Sequence, residues 1–318
     1  MYGREMRGKV SLKRKFLAGL FSVLFLFCLF SGQQDAFANG DIKPLVETGW
    51  LADNLNKPGL AIVYVGGPGS KKENWAFKHV PGAVFLDFFA MMGILGDGST
   101  PPDQAKFEAL VSGLGIENDS HVIIHSGDTL FGSGAFWLFD YFGHKKLSMM
   151  NGTAKKWMAE GLPTAGGSAE ITPATYKANP DSSLLATADD VLKNLKNPKA
   201  VIVDTRGTDE FNGIYADENK MGNTRVGHIP GAVDLGFFPS NLNKDGTFKS
   251  AGEMKAIYEA KGVTKDKEVI TYCQAGIRAG HSYFVLKHIM GYPNVKNYVG
   301  SWGEWSTRLD PATYPVEK

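Results

Sequence analysis

Cysteine is scarce in this sequence, which has 2 among 318 residues, Cys28 and Cys273. No Cys/His pair has the spacing of metal ligands, so we expect neither a metal site nor a cofactor. The chain also lacks a glycine-rich phosphate loop of the Walker type and a dinucleotide fingerprint. These absences disfavour metalloenzymes and nucleotide-dependent enzymes.

The N-terminus has the three parts of a secretory signal peptide. Six basic side chains lie between Arg4 and Lys15, an apolar stretch runs from residue 16 to about residue 30, and Ala36-Phe-Ala38 is an A-x-A cleavage pattern. We predict that residues 1–38 are removed and that the mature protein is exported to a bacterial periplasm. That compartment is oxidising, and a lone cysteine there stays free because it has no internal disulfide partner.

Membrane attachment after cleavage is not expected. The apolar stretch is short for a membrane span, which needs about 20 residues. Phe27 precedes Cys28 where a lipoprotein signal requires a small residue, so we expect no lipid anchor. A leader retained as an uncleaved anchor is the alternative.

The charge of the mature chain argues against polyanionic partners. Cleavage after Ala38 leaves 280 residues with 28 basic and 31 acidic side chains, a net charge near −3. Because no Lys/Arg cluster is left, we expect no binding to nucleic acid or anionic lipid. The length suits one large domain or two ordinary ones.

The sequence contains an internal repeat. His79-Val-Pro-Gly-Ala-Val84 recurs as His228-Ile-Pro-Gly-Ala-Val233. An apolar run ends at Ser126, 47 residues after the first histidine, and another ends at Cys273, 45 residues after the second. Further matching landmarks, with the same spacing in both copies, are Gly143, Gly152 and Trp157 and then Gly291, Gly300 and Trp305.

The repeat predicts two homologous domains. We place the first at residues 39–167 and the second at residues 182–318. The polar, proline-containing stretch 168–181 is the predicted linker.

Each half alternates short apolar runs with amphipathic segments. Ala200–Asp204 and Glu268–Tyr272 are continuous apolar runs, as expected of strands covered on both faces. Residues 188–196 and 252–260 have helical patterns, and this alternation indicates an α/β fold with a parallel sheet. Reactive groups in such sheets gather at the carboxyl ends of the strands, which is where Cys273 lies.

Cys273 is the candidate nucleophile. A thiol at a strand-to-helix turn faces unpaired backbone N–H groups and the positive end of a helix dipole, which favour the thiolate. A small buried apolar residue is the alternative interpretation. The following loop, Gln274-Ala-Gly-Ile-Arg278, favours the nucleophile, because a structural cysteine needs neither the glycine nor the arginine.

Four segments together resemble the tandem-domain rhodaneses, a family of sulfurtransferases, in a secreted bacterial form. They are Val203-Asp-Thr-Arg206, Gly227-His-Ile-Pro-Gly-Ala-Val233, Tyr272-Cys-Gln-Ala-Gly-Ile-Arg278 and Tyr298-Val-Gly-Ser-Trp-Gly-Glu-Trp305. The resemblance covers nearly the whole mature chain. It implies two rhodanese-like domains, each a parallel β-sheet flanked by helices, with an inactive first half and a catalytic second half.

The first half has lost the residues that the resemblance assigns to catalysis. Ser126 stands where the cysteine would be, and Tyr64 and Gly66 align with the Asp-x-Arg pair of the second half. A serine nucleophile needs an activating base. His125 is adjacent on a predicted strand and would point the opposite way, so we expect no catalysis by Ser126.

The resemblance implies double displacement through Cys273. The implied donor is thiosulfate or mercaptopyruvate. With thiosulfate, the thiolate attacks the outer sulfur, and the resulting persulfide passes its sulfur to a thiol or to cyanide. Cys273 and Arg278 are spaced C-x4-R, whereas related phosphatases use C-x5-R to surround a phosphate. The shorter loop suits a sulfur atom better.

The resemblance also suggests roles for the residues around the cysteine. The backbone N–H groups of the loop would stabilise the thiolate and persulfide anions, and the residues concerned are Gln274, Ala275, Gly276, Ile277 and Arg278. The Arg278 side chain would attract an anionic donor, or be a surface arginine at a helix start. Arg206 would brace the loop beside Asp204, with direct substrate contact as the alternative.

Two departures from the family leave the donor open. The loop is neither that of thiosulfate-specific members nor that of mercaptopyruvate-specific members, and Glu210 stands where some members have an anion-binding arginine. A non-turnover periplasmic sulfur carrier or scaffold is the main rival function. A cysteine hydrolase is weaker, because His281 falls inside the following helix. We expect a monomer.

Overall fold

The protein is described here by a computed structural model for residues 42–68, 78–167, 170–214 and 222–318. The predicted signal peptide, residues 1–38, lies outside the described residues. Residues 42–318 form one compact unit.

The described residues form ten β-strands in two sheets. The strands are β1 Leu45–Val46, β2 Leu60–Val65, β3 Val84–Leu86, β4 His121–Ser126, β5 Leu147–Met150, β6 Leu185–Ala186, β7 Ala200–Asp204, β8 Val233–Asp234, β9 Glu268–Tyr272 and β10 Val295–Tyr298.

Helices flank both sheets. The α-helices are α1 Thr48–Asn54, α2 Phe88–Leu95, α3 Gln104–Gly113, α4 Thr129–Tyr141, α5 Ala154–Ala159, α6 Ala188–Asn194, α7 Thr208–Phe211, α8 Phe237–Asn241, α9 Ala251–Glu259, α10 Ile277–Phe284 and α11 Ser301–Thr307. A 3-10 helix, Ser182–Leu184, precedes β6, and a π-helix, Val285–Ile289, continues α10.

The two sheets have the same topology. Their strand orders are β1-β5-β4-β2-β3 and β6-β10-β9-β7-β8, and the strand pairs in both are parallel. The expected α/β fold, with a parallel sheet flanked by helices in each half, is therefore confirmed. The matching register also confirms one alignment, because Tyr64 pairs with His125 as Asp204 pairs with Tyr272.

The central strands form where the sequence supplies unbroken apolar runs. Within β4, Val122, Ile123 and Ile124 are fully buried, and β9 is similarly covered on both faces. Capping residues mark where the outer helices begin. For example, Ser250 and Glu253 form a capping box at the start of α9.

The halves meet through the equivalent helices α4 and α10. A Cβ atom on Gly280 would lie 3.3 Å from Cα of Gly134, so this contact requires small residues. Hydrogen bonds also cross the interface. Asp140 Oδ2 accepts from Tyr283 Oη and His288 Nε2, both at 2.7 Å. The second half therefore packs against the first half directly behind the Cys273 loop.

The described part of the predicted linker has no regular secondary structure between residues 170 and 181 and packs against the first half. Ala174 N donates to the carbonyl of Ser112 at 2.9 Å, Asp181 N donates to that of Tyr141 at 2.7 Å, and the Tyr176 side chain is buried. Backbone hydrogen bonds and one buried aromatic ring thus hold the segment in place.

Among the described residues, no helix has both the length and the apolar character needed to span a bilayer.

Candidate active site

Cys273 lies at the carboxyl end of β9, one residue beyond the strand and four before α10 begins. It is 1% exposed. Parallel strands place this edge of the sheet at the surface where loops can converge on a ligand. The thiol therefore lies where the loop leaves the edge of the sheet, not in the centre of the core. Its side chain is nevertheless buried.

The carbonyls of the loop are held by the beginning of α11. Trp302 N donates to the Cys273 carbonyl at 2.9 Å, and Gly303 N donates to the Gln274 carbonyl at 3.0 Å. These bonds satisfy N–H groups that would otherwise be unpaired in the first turn of a helix. They also fix the loop carbonyls on one side.

Ser301 supports the loop from beneath. Its Oγ accepts from Cys273 N and from Gly276 N, both at 3.1 Å, and donates to the Tyr298 carbonyl at 2.7 Å. Ser301 has a φ of 54°, a left-handed conformation that is unfavourable for serine. It is the one non-glycine residue of the described ranges with a positive φ.

The remaining backbone N–H groups of the loop form a candidate anion cradle. No described residue accepts a hydrogen bond from the N–H groups of Gln274, Ala275, Ile277 or Arg278. Gly276 differs, because its N–H donates to Ser301. Its φ of 81° gives the loop its sharp turn, which only glycine adopts easily.

A buried ion pair lies behind the cysteine. Arg206 donates to both carboxylate oxygens of Asp204, and Nη2 is 2.6 Å from Oδ2. The guanidinium also donates to the Gly227 carbonyl and lies 4.5 Å from the ring centroid of Trp302. Tyr272 Oη donates to the same carboxylate. Arg206 is therefore paired with Asp204 and packed against Trp302 at the beginning of α11.

The Asp204 carboxylate keeps the Arg206 guanidinium charged. Burial alone would lower the pKa of Arg206, but the charge and hydrogen bonds of Asp204 outweigh burial and raise it. Burial raises the pKa of Tyr272 well above its ordinary value, and the neighbouring Asp204 carboxylate raises it further. The phenol consequently acts as a hydrogen-bond donor.

Arg278 is a partly buried ion-pair partner rather than a surface arginine. Its Nη1 and Nη2 donate to the two carboxylate oxygens of Glu210, at 2.5 Å and 2.9 Å. Burial raises the pKa of a carboxyl group, but the bonds from Arg278 outweigh it and lower the pKa of Glu210. The guanidinium that the sequence assigns to an anionic donor is thus already paired.

A pair of amides covers another part of the loop. Gln274 Nε2 donates to Asn223 Oδ1 at 2.7 Å, and Asn223 Nδ2 donates back to Gln274 Oε1 at 3.1 Å. The sequence predicted a backbone role for Gln274 and none for Asn223. Two amide side chains far apart in sequence have no pattern that would reveal such a contact.

The equivalent position of the first half has no described base. Ser126 Oγ donates to the Asp128 carbonyl and accepts from Gly132 N at 3.2 Å. His125 is buried, and neither of its ring nitrogens has a hydrogen-bond partner among the described residues. Its pKa is lowered to about 3 by burial, so the ring is neutral at pH 7.

His281 is packed into the interface between the halves. The Nδ1 atom lies 2.8 Å from Ser133 Oγ, and the ring stacks on Phe248 with centroids 5.3 Å apart. This agrees with the predicted position of His281 inside the helix that follows the loop. Within the described ranges, no group of His, Cys, Asp and Glu side chains is arranged to hold a metal ion.

Comparison with known proteins identifies relatives along most of the chain. Residues 187–308 match the family model of the rhodanese-like domain. The chain is 36% identical over 279 residues to the sulfur carrier protein TtuD of Thermus thermophilus, covering 82% of this chain and 93% of that protein. It is 34% identical over 288 residues to the thiosulfate sulfurtransferase of Bos taurus, covering 86% and 95%.

A solved structure extends the likeness to three dimensions. The 3-mercaptopyruvate sulfotransferase SseA of Escherichia coli is 28% identical and superimposes with a TM-score of 0.70, over 82% of this chain and 99% of that chain. The similarity to these proteins extends well beyond the single matched domain and includes both halves. The chain accordingly belongs to the rhodanese family, as a tandem-domain sulfurtransferase.

Proposed function

We propose that the protein moves a sulfane sulfur from thiosulfate or a similar donor to a thiophilic acceptor through a persulfide on Cys273. The observation that supports this most strongly is the position of that thiol. It lies between β9 and α10, in a loop whose N–H groups have no described acceptor at Gln274, Ala275, Ile277 and Arg278. Such a cradle stabilises an anion on sulfur.

The reaction divides into two balanced displacements. The Cys273 thiolate attacks the outer sulfur of thiosulfate, a new S–S bond forms, and the donor's S–S bond breaks as sulfite leaves with the electron pair. A nucleophilic acceptor then attacks the outer sulfur of the persulfide, and the thiolate leaves. With cyanide the product is thiocyanate. Neither displacement changes the protein apart from Cys273.

The surrounding residues hold the nucleophile in place. Ser301 fixes the backbone at Cys273 and Gly276, whereas Asp204 and Arg206 brace the strand end from behind. Both supports are buried, so they act through the loop without contacting the donor. Rigid placement of this kind matters because a displacement of about 1 Å can cost a hundredfold in rate.

The donor is thiosulfate or 3-mercaptopyruvate, and the acceptor is a thiol, with cyanide as its substitute in assays. We propose that the protein is a monomer exported to the periplasm after removal of residues 1–38.

A sulfur carrier is the second candidate function. A relative that is 36% identical is named a sulfur carrier protein, and Cys273 is almost completely covered. A carrier would form the same persulfide but would turn over slowly with a small acceptor such as cyanide. The two candidates share Cys273 and differ in the rate of the second displacement.

Steady-state thiosulfate:cyanide assays of the mature protein separate these functions. An enzyme gives fast, continuous thiocyanate release with ping-pong kinetics, whereas a carrier takes up about one equivalent of sulfur and passes it to cyanide only slowly. Cys273→Ser should abolish both, because the mature chain has no other cysteine.

Ser126→Ala is the matched control. Turnover should stay within about twofold of the unaltered protein, because Ser126 has no described base to activate it. Sulfur transfer by folded Cys273→Ser would refute the assignment of the nucleophile.

A further inference from the structure

Both terminal nitrogens of the Arg278 guanidinium are hydrogen-bonded to the Glu210 carboxylate. The two hydrogen bonds, of 2.5 Å and 2.9 Å, form a bidentate pair in which both side chains are less than one-fifth exposed. Bidentate pairs of this kind hold the arginine in one orientation as well as neutralising it. A donor can use the positive charge of Arg278 only by competing with this carboxylate.

Glu210 is itself fixed by the backbone. Its Oε2 accepts from Gly207 N at 3.0 Å, and Glu210 is the third residue of the short helix α7. The carboxylate is therefore held by an N–H group on one side and by a guanidinium on the other. It is not a mobile surface charge that moves away when a ligand arrives.

The second guanidinium beside the loop is also neutralised. Arg206 is paired with Asp204, and both groups are nearly inaccessible, at 3% and 1% of their side-chain surface. The two cations that flank the Cys273 loop thus each have a carboxylate partner. Among the described residues, the neighbourhood of the thiol has backbone N–H donors without a matching excess of positive charge.

Because the two cations are neutralised, the binding of a sulfur donor should depend on the net charge of the donor. A cradle of N–H groups stabilises a single negative charge on sulfur, but a dianion brings a second charge close to the Glu210 carboxylate. Like charges at short range in a partly buried site repel strongly. A monoanionic donor of the same sulfur chemistry experiences about half of this repulsion.

We infer that Glu210 is a specificity-determining residue, which neutralises Arg278 and so favours monoanionic sulfane-sulfur donors over the thiosulfate dianion. This inference rests on the proposed function of Cys273. The preferred donor class is an organic thiosulfonate or persulfide with a single negative charge. Thiosulfate would then serve as a substrate of low affinity.

Two donors that differ in charge test the inference. Thiosulfate is a dianion that releases sulfite, and methanethiosulfonate is a monoanion that releases methanesulfinate. In both, the Cys273 thiolate attacks the terminal sulfur, one S–S bond breaks and one forms. Cyanide serves as the acceptor in each case, so the second displacement is identical.

Glu210→Gln should change the preference between these donors. The variant keeps the size of the side chain and an oxygen acceptor for Gly207 N but loses the charge opposite Arg278. The ratio of kcat/KM for thiosulfate to that for methanethiosulfonate should rise about ten- to a hundredfold, mainly through a lower KM for thiosulfate. Thermal unfolding of the variant checks that the second half, which contains the Cys273 loop, is still folded.

Asp209→Asn is the matched control. Asp209 precedes Glu210 on α7, is exposed, and removal of its carboxylate changes the net charge by the same amount. Since Asp209 does not contact Arg278, its variant should keep the donor ratio within about twofold. A general charge effect would move the ratio equally in both variants and would overturn the inference.

A measurement on the unaltered protein covers the case in which Glu210→Gln fails to fold. Methanesulfonate should compete with the donor at least as strongly as sulfate does, because the first is a monoanion and the second a dianion. Inhibition by sulfate about tenfold stronger than by methanesulfonate would overturn the inference.

The outcomes separate this inference from the proposed function. Normal sulfur transfer with an unchanged donor ratio in folded Glu210→Gln overturns only the role of Glu210. Failure of both donors to transfer sulfur to the unaltered protein overturns the proposed function, and the role of Glu210 with it.

Discussion

At the scale of single residues, the two halves differ at the position of the candidate nucleophile and at the ion pair beside it. Cys273 and Ser126 end equivalent strands, and the register places Tyr64 where the second half has Asp204. A carboxylate that pairs with Arg206 is thus replaced by a phenol, and the bracing ion pair is missing from the first half. The sequence alone predicted this difference, because the repeat aligns the residues one by one.

Ser301 was not predicted from the sequence, although it contacts the loop directly. A serine that follows a glycine has no pattern that indicates a left-handed backbone. Its hydroxyl reaches Cys273 N and Gly276 N only because the chain returns through β10 to the same edge of the sheet. Unfavourable backbone conformations are often found at functional sites, where surrounding contacts maintain them.

We predict that Ser301→Ala weakens both the fold and the activity. The variant leaves two buried N–H groups without an acceptor, at a cost of about 1–3 kcal/mol each, so the free energy of unfolding should fall by a few kcal/mol. The kcat for sulfur transfer should fall with it, since the loop loses its support. Chemical denaturation and steady-state assays measure the two effects.

Ser306→Ala provides the comparison. Ser306 is also buried on α11, but its hydroxyl touches neither Cys273 nor Gly276. We expect a smaller loss of stability and normal kcat. Equal effects of the two substitutions would show that Ser301 has no particular relation to the loop.

At the scale of elements, the sequence predicted the central strands well. The predicted strands Ala200–Asp204 and Glu268–Tyr272 coincide with β7 and β9. The predicted helices at 188–196 and 252–260 correspond to α6 and α9 with ends shifted by one or two residues. Apolar runs and helical periodicity are local signals, which explains why these predictions were confirmed.

Contacts between elements were harder to predict. The pairing of Arg278 with Glu210 joins residues 68 positions apart, and the close approach of α4 to α10 depends on two glycines in different halves. Glycine inside a helical pattern usually indicates a weaker helix. The reason for Gly134 and Gly280 is visible only when the helices are packed together.

Gly134→Val should therefore affect the Cys273 loop from the opposite half. A Cβ atom on Gly134 would lie 3.1 Å from Cγ2 of Ile277, and a branched side chain adds further overlap. Overpacking of this kind costs about 1–3 kcal/mol. Because Ile277 belongs to the loop, we also expect a lower kcat/KM in the sulfur-transfer assay.

Gly252→Ala is the control for the effect of replacing a glycine within a helix. A Cβ atom there would have no neighbour within 4 Å, and Gly252 lies in α9, away from the interface. Loss of a helical glycine should leave stability unchanged or raise it by up to about 1 kcal/mol. Unaltered activity of Gly134→Val would contradict a role of this interface in positioning the loop.

At the scale of the whole molecule, buried histidines make stability depend on pH. Burial lowers the pKa of His125 to about 3 and also lowers that of His144. The folded protein therefore binds protons at these rings only at a lower pH than the unfolded chain, which binds them below the ordinary pKa of 6.5. The stability from each ring is thus present above pH 6.5 and is lost as the pH falls towards the folded pKa.

His125→Phe should reduce the acid sensitivity of the fold. The slope of the unfolding free energy between pH 6 and pH 4 should decrease by about 1.4 kcal/mol per pH unit, because one proton fewer is taken up on unfolding. At pH 7 the variant should be as stable as the unaltered protein or more so, since the ring nitrogens have no described partners. Urea denaturation at several pH values measures both quantities.

His144→Phe separates the change in the pH slope from the change in stability at pH 7. His144 bonds with the Ser120 carbonyl at 3.0 Å and with Tyr176 Oη at 3.2 Å, so its loss leaves buried polar groups unpaired. This variant should also have a shallower pH slope, but it should lose about 1–3 kcal/mol at pH 7. An unchanged slope in both variants would contradict the lowered pKa of the two buried histidines.

The most direct test of the central claim is to locate the transferred sulfur by mass spectrometry. After incubation of the mature protein with thiosulfate in the absence of an acceptor, we expect a mass increase of one sulfur atom, located on the peptide that contains Cys273. Added cyanide should remove it with release of an equivalent amount of thiocyanate. Continued turnover without sulfur bound at Cys273 would contradict the account.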